Sequence, residues 1–236
     1  MDSRTRQART AGVLYALVAL TGPIGLVYVP NHLFVPGDAL ATAAHLRASE
    51  PLLRLGIASE LFHQAIEVFL VVVLYGLFKP VSTSLARQMA ALGLLPIPIM
   101  FLNVLNEIAA LTLVSGAGYL KSFGAPQLDT LAMLFVRLHQ QGLQVAAIFW
   151  GLWLIPLGLL IRRCGFIPRL LGVSVMLAAA GYLLGAFTVL ITPRYASAIA
   201  DVAGMLEVFE LPIIFWLLIW GARSPAPDVT QAPIPG

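Results

Sequence analysis

The chain has 236 residues, of which 59% are hydrophobic and only 11% charged, and its mean hydropathy is +0.90. Soluble domains carry about 25% charged residues, so a water-soluble core, a coiled coil and a disordered chain are excluded and an integral membrane protein is defined. The net charge of +3 does not point to nucleic acid, because the fourteen Lys and Arg form no run and mostly flank apolar stretches.

The basic start MDSRTRQART is followed by an apolar run to Val29 with no small-x-small cleavage pattern, which predicts a retained first span over Ala11–Val29 rather than a signal peptide. In the long connection that follows, DALATAAHLRASE predicts a short interfacial helix, with His32 and His45 as surface residues. A second span covers Leu52–Phe78 and is closed by Lys79-Pro80. A third covers Leu85–Val114, with a bend at Pro96 and Pro98. Pro126 suits a first helical turn and opens the fourth, Pro126–Ile161. The fifth covers Ile167–Ile191 and the sixth Ala198–Trp220. Each reaches the roughly 20 residues that a bilayer requires. The expected architecture is an all-α polytopic bundle of six transmembrane helices over residues 1–222. The Pro-rich tail, 223–236, reads as disordered. No internal repeat is evident, which weighs against an inverted-repeat transporter.

Lys and Arg placement predicts orientation. Arg4, Arg6, Arg9, Lys79, Arg87, Arg162, Arg163, Arg169 and Arg223 gather on one side, against Arg47, Arg54, Lys121 and Arg194 on the other. The richer side is the cytoplasmic one, so both termini are expected there. Cys164 is the only cysteine, which excludes an intrachain disulfide and a Cys-based metal cluster. It reads as a tolerated small residue at a span end.

Ionisable groups inside the spans are the feature that calls for a function, since each is costly in hydrocarbon. The second span carries Glu60, His63, Gln64 and Glu67, and the third Asn103, Asn106 and Glu107. The fourth carries Arg137, His139, Gln140, Gln141 and Gln144, and the sixth Glu207 and Glu210. Counted from the outer span ends at 1.5 Å per residue, they fall about 14–21 Å deep, in one layer. At 100° per residue, Glu60, His63, Gln64 and Glu67 share one stripe, as do Arg137, Gln140, Gln141 and Gln144, while His139 points roughly the other way.

These residues predict a shared pocket in which five carboxylates face one cation, Arg137, read as the structural counter-ion of one of them. Bound cation, protonated carboxyls or an aqueous vestibule would each relieve the excess. Glu60-x-x-His63 has the i, i+3 spacing by which one helix offers a carboxylate and an imidazole to one ion. Glu60, His63, Glu67, Glu207 and Glu210 are therefore the candidate metal ligands, for zinc, iron or manganese rather than calcium. Glu60, Glu107, Glu207 and Glu210 are the candidate catalytic acids. Asn103, Asn106, Arg137, Gln141 and Gln144 are the candidate substrate-binding groups, the two asparagines serving equally well as helix–helix hydrogen-bonding groups.

The stretches GVLYALVALTGPIGLVYVP, VPGDALATAAHLRASEPLLRLGI, LYGLFKPV, LNVLNE, LTLVSGAGYL, LAMLF, FWGLWLIPLGLL and GFIPRLLGV run from the first span into the fifth. They resemble a bacterial membrane-protein family known as domain of unknown function 4386. Asn103 and Asn106 match its LNxLN pattern, and Trp153 and Pro156 its GLWLxPLG pattern. The resemblance implies a multi-spanning fold in a bacterial inner membrane and supplies no activity.

Four functions stay open on the residues alone. A metal-dependent enzyme embedded in the membrane would act on a lipid or isoprenoid-like amphiphile through a metal-bound water. A metal-free enzyme would use a protonated, desolvated Glu as general acid. A proton- or cation-coupled carrier of six spans would need to form a homo-oligomer, and a structural or regulatory subunit would use the layer as helix glue. No nucleotide-binding loop, nucleophile elbow or c-type haem attachment motif is present. A b-type haem between His63 and His139 matches in depth but not in the facing of His139.

Overall fold

Backbone N–H and C=O groups have no water to bond in hydrocarbon, so apolar stretches of this length close their hydrogen bonds internally as helices. The computed structural model describes residues 3–222, and no strand occurs among them. Six helices are long and apolar enough to cross a membrane: Ser3–Leu33, Glu50–Phe78, Thr83–Val114, Ala125–Cys164, Arg169–Ile191 and Pro193–Ile219. They are referred to as spans one to six. The expectation of disorder in the tail falls outside the described residues.

Three spans are interrupted, each at a proline. In span one the α-helix ends at Pro23, and Ile24–Tyr28 forms one π-turn before α-helix resumes over Val29–Leu33. Span three changes direction at Leu95, where Pro96 opens a new helix over Pro96–Val114. Proline is accepted there because its missing N–H would lack an intrahelical partner in a first turn anyway. In span six, Pro212 cannot donate to the carbonyl four residues back, that of Val208. The Leu211 N–H bonds that carbonyl instead, and Val208–Glu210 tightens into a 3₁₀ turn. The Ser174 hydroxyl donates to the Phe209 carbonyl across the same break.

The short helix forecast in the first connection is present as Ala39–Ala48, capped by Asp38, whose carboxylate accepts from the Ala41 N–H at 2.9 Å. Its Arg47 pairs with the buried Asp129 on span four.

Packing closes the helices into a ring. Each span packs against the next, and span six returns to span one. The backbones of spans one and six almost touch at Gly12, where an added Cβ would lie 2.4 Å from the Leu218 nitrogen. The Thr5 hydroxyl donates to the Ala222 carbonyl at 2.8 Å, so both ends of the described chain lie on the same side. One half of the ring is filled by apolar side chains of spans two, four and five, including Leu70, Leu74, Leu154, Leu157 and Val175. Phe69, Leu102 and Met205 point outward and are exposed, which lipid contact explains.

The closure is incomplete. Span one packs against the Leu211–Ile219 half of span six, whereas its Ile24–Leu33 part makes no substantial contact with Ala196–Glu207. The two broken helices therefore part company beyond their breaks.

Candidate metal centre and cavity

Spans two, three and four each deliver one ionisable side chain to a common point. Glu60, Glu107 and His139 are all at most 1% exposed. His139 Nε2 lies 3.3 Å from Glu60 Oε1 and 3.8 Å from Glu107 Oε1. Ligand atoms from the three residues fall within 4.8 Å of one another, a spacing that can hold one metal ion. The oxygens of both carboxylates and the His139 Nε2 have no hydrogen-bond partner. Unpaired buried polar atoms are costly, so three residues that bring such atoms to within 4.8 Å of one another call for an occupant.

The surroundings fix this geometry. His139 Nδ1 faces the Asn103 carbonyl at 3.3 Å, and the Asn103 amide donates to the His139 carbonyl at 2.9 Å. Donation from Nδ1 leaves the Nε2 lone pair directed at the two carboxylates, the tautomer a metal ligand needs. Asn106 in turn donates to the Asn103 side-chain oxygen at 3.1 Å. Two glycines make room. A Cβ on Gly142 would sit 2.0 Å from Asn103 Oδ1, and one on Gly25, inside the π-turn, 2.6 Å from Glu60 Cγ.

The remaining acids occupy a second place. A cavity of about 560 Å³ lies inside the ring, bounded by spans one, two, four, five and six. Glu67, Glu207 and Glu210 reach it together with His63, Gln144, Tyr15 and Tyr182, and Trp150 and Trp153 form part of its wall. The Tyr15 hydroxyl donates to Glu210. His63 Nδ1 faces the Val18 carbonyl at 3.1 Å, while its Nε2 stands 3.8 Å from Glu67 Oε2. That Glu67 oxygen is buried without a hydrogen-bond partner. Between the two places lies Gln64, buried on the same helix, with both amide atoms unpartnered. The stripe Glu60, His63, Gln64, Glu67 thus runs from one site to the other over two helical turns, about 10 Å.

The single layer expected from depth is therefore two sites. Glu60 joins Glu107 and His139, whereas His63, Glu67, Glu207 and Glu210, the other expected metal ligands, line the cavity. Asn103 is buried and supports His139, Asn106 is half-buried, and Gln144 lines the cavity. Arg137 and Gln141 are exposed. Reading Arg137 as an interior counter-ion is thereby corrected, and so is the outward facing of His139. The stripe of Arg137, Gln140 and Gln141 looks like a pocket wall on a helical wheel, yet it points out of the bundle. The missed signal was apolar. Ala132, Val136, His139 and Ala146 follow helical spacing on one buried face, and His139 is the polar member of that series.

Fold and site together define a multi-spanning membrane protein with a buried Glu/Glu/His group. The family described as "Domain of unknown function (DUF4386)" matches residues 10–221, and the chain belongs to it. No curated protein and no solved structure matches the chain.

Proposed function

We propose that the protein is a membrane-embedded metalloenzyme that acts on a lipid or isoprenoid-like amphiphile held in the cavity. The observation that carries this reading is the set of unpartnered, fully buried atoms of Glu60, Glu107 and His139. Two carboxylates and a neutral imidazole balance one divalent cation, and a neutral site suits a low-dielectric interior. An imidazole ligand favours zinc, iron or manganese over calcium. Three protein ligands leave a coordination position for water or substrate, as catalytic rather than structural sites do. Glu67, Glu207 and Glu210, with the phenol of Tyr15, line the cavity about 10 Å along span two from Glu60, and are groups suited to carrying protons to and from the bound molecule. In this reading the chain lies in a bacterial cytoplasmic membrane with both ends in the cytoplasm.

The test is metal content after detergent purification without chelators. One equivalent of a transition metal is expected. Glu60→Gln, Glu107→Gln and His139→Ala should each remove it, and His63→Ala and Glu207→Gln should retain it. A wild-type protein that never carries stoichiometric metal overturns the reading.

A second reading, a proton- or cation-coupled carrier, is favoured by one observation. Spans one and six are both broken beside the cavity, and broken helices flank the binding sites of many carriers. Substrate uptake into liposomes in the absence of any chemical turnover would select it.

A further inference from the structure

We infer that the cavity between the broken spans is a binding site for an apolar organic cation, an amine or quaternary ammonium carried on a hydrocarbon body. This rests on the reading that the cavity holds an amphiphile, and it names the chemistry of that molecule.

Charge is the first argument. Three glutamates reach the cavity, and no Lys or Arg is among the residues that line it. Glu67 is buried, with one carboxylate oxygen lacking any hydrogen-bond partner. Glu210 takes a bond from Tyr15, a neutral donor that brings no positive charge. His63 directs Nδ1 at the Val18 carbonyl and brings only Nε2 toward Glu67. No Lys or Arg of the lining supplies a compensating positive charge, so a cationic ligand is what would hold these carboxyls in their charged form.

The wall supplies the second argument. Trp150 and Tyr182 meet edge to face with ring centroids 6.3 Å apart, and Tyr15 and Trp153 lie 6.1 Å apart. All four rings line the same space as the carboxylates. Aromatic faces attract cations that have few hydrogen-bond donors, and desolvation strengthens that attraction. Carboxylates alone would equally suit a small metal ion. Carboxylates beside a box of aromatic rings, in about 560 Å³, suit a bulky organic one.

Access completes the case. Val27 on span one and Val208 and Leu211 on span six line the cavity and are exposed. Val27 lies beyond the break of span one, and Val208 and Leu211 lie at the break of span six, where the two spans begin to separate, so the opening faces hydrocarbon. An apolar cation concentrated in the bilayer can enter there without crossing water.

The probe is tetraphenylphosphonium, titrated against the detergent-solubilised full-length protein, with tetraphenylborate as an anion of matching shape. Wild type should bind the cation at least tenfold more tightly than the anion. Glu67→Gln and Trp150→Ala should each weaken cation binding at least tenfold. Glu107→Gln, which is expected to lose the metal, should bind the cation as wild type does. Equal affinity for the two ions, or unchanged cation affinity in Glu67→Gln, overturns the inference. A wild-type protein that binds the cation selectively but carries no metal fails only the metal centre, and one that carries metal but does not prefer the cation fails only this site.

Discussion

His139 Nε2 stands 3.3 Å from Glu60 Oε1 although the two residues lie on different helices, while Nδ1 of the same ring faces the Asn103 carbonyl at 3.3 Å. The ring is thus held from behind, and its free lone pair meets two buried carboxylates. Without a cation or a proton at that point the contact is repulsive. A bound metal would therefore contribute to folding as well as chemistry, by about 2.7 kcal/mol when free metal is a hundredfold above its Kd.

Chelation should accordingly lower the thermal midpoint of the wild-type protein in detergent. His139→Ala, which removes a ligand, should unfold at a lower temperature and show no response to EDTA. If wild type and His139→Ala respond equally to the chelator, the metal is bound elsewhere.

The packing of Asn103 against Gly142 gives a coupled prediction. A methyl group at position 142 would overlap the Asn103 side chain and displace the amide that bonds the His139 carbonyl. Overpacking of this kind costs about 1–3 kcal/mol. Gly142→Ala should show that loss in denaturant titration. In an Asn103→Ala background, where the obstacle is gone, the added cost of Gly142→Ala should fall below about 0.5 kcal/mol. Simple additivity would show that the two residues are not coupled.

How far the sequence could be read differs between fold and site, and the cause is physical. Spans are legible because hydrocarbon demands about 20 apolar residues in a row, and Pro96 announced the bend at Leu95. The short helix over Ala39–Ala48 was legible from its own pattern. The breaks in spans one and six leave no mark in the apolar pattern, although Pro23 and Pro212 stand at them. Facing was harder still. A helical wheel places Arg137 and His139 on opposite faces but cannot say which face turns inward. Depth counted along each helix also compresses different sites into one layer, so it cannot separate Glu60 from Glu207, which serve different spaces.

Topology follows from the bond between Thr5 and the Ala222 carbonyl together with the six spans. Reporter fusions at the N-terminus and C-terminus should report the same side, the cytoplasmic one on the distribution of Lys and Arg. A reporter inserted beside the exposed Tyr119, between spans three and four, should report the opposite side. Matching signals from Tyr119 and the termini would contradict six crossings.

The separation of spans one and six predicts that lipid reaches the cavity. Trp150 and Trp153 line it, whereas Trp216 and Trp220 stack on each other at 4.9 Å near the end of span six. In a Trp216→Phe/Trp220→Phe protein, the remaining fluorescence comes from the two cavity tryptophans. Reconstitution with lipids brominated on their acyl chains should quench it, because the opening between Val27 and Val208 faces hydrocarbon. A side chain added at Gly204 would meet no atom within 4 Å of its Cβ, and Gly204 borders the cavity. Gly204→Phe should therefore be accommodated without overlap at its Cβ and should partly fill the opening. The expected result is strong quenching in the two-tryptophan protein and a clear reduction once Gly204→Phe is added. Equal quenching with and without Gly204→Phe would mean that lipid approaches these tryptophans by another route, and no quenching in either protein would mean that spans one and six close over the cavity.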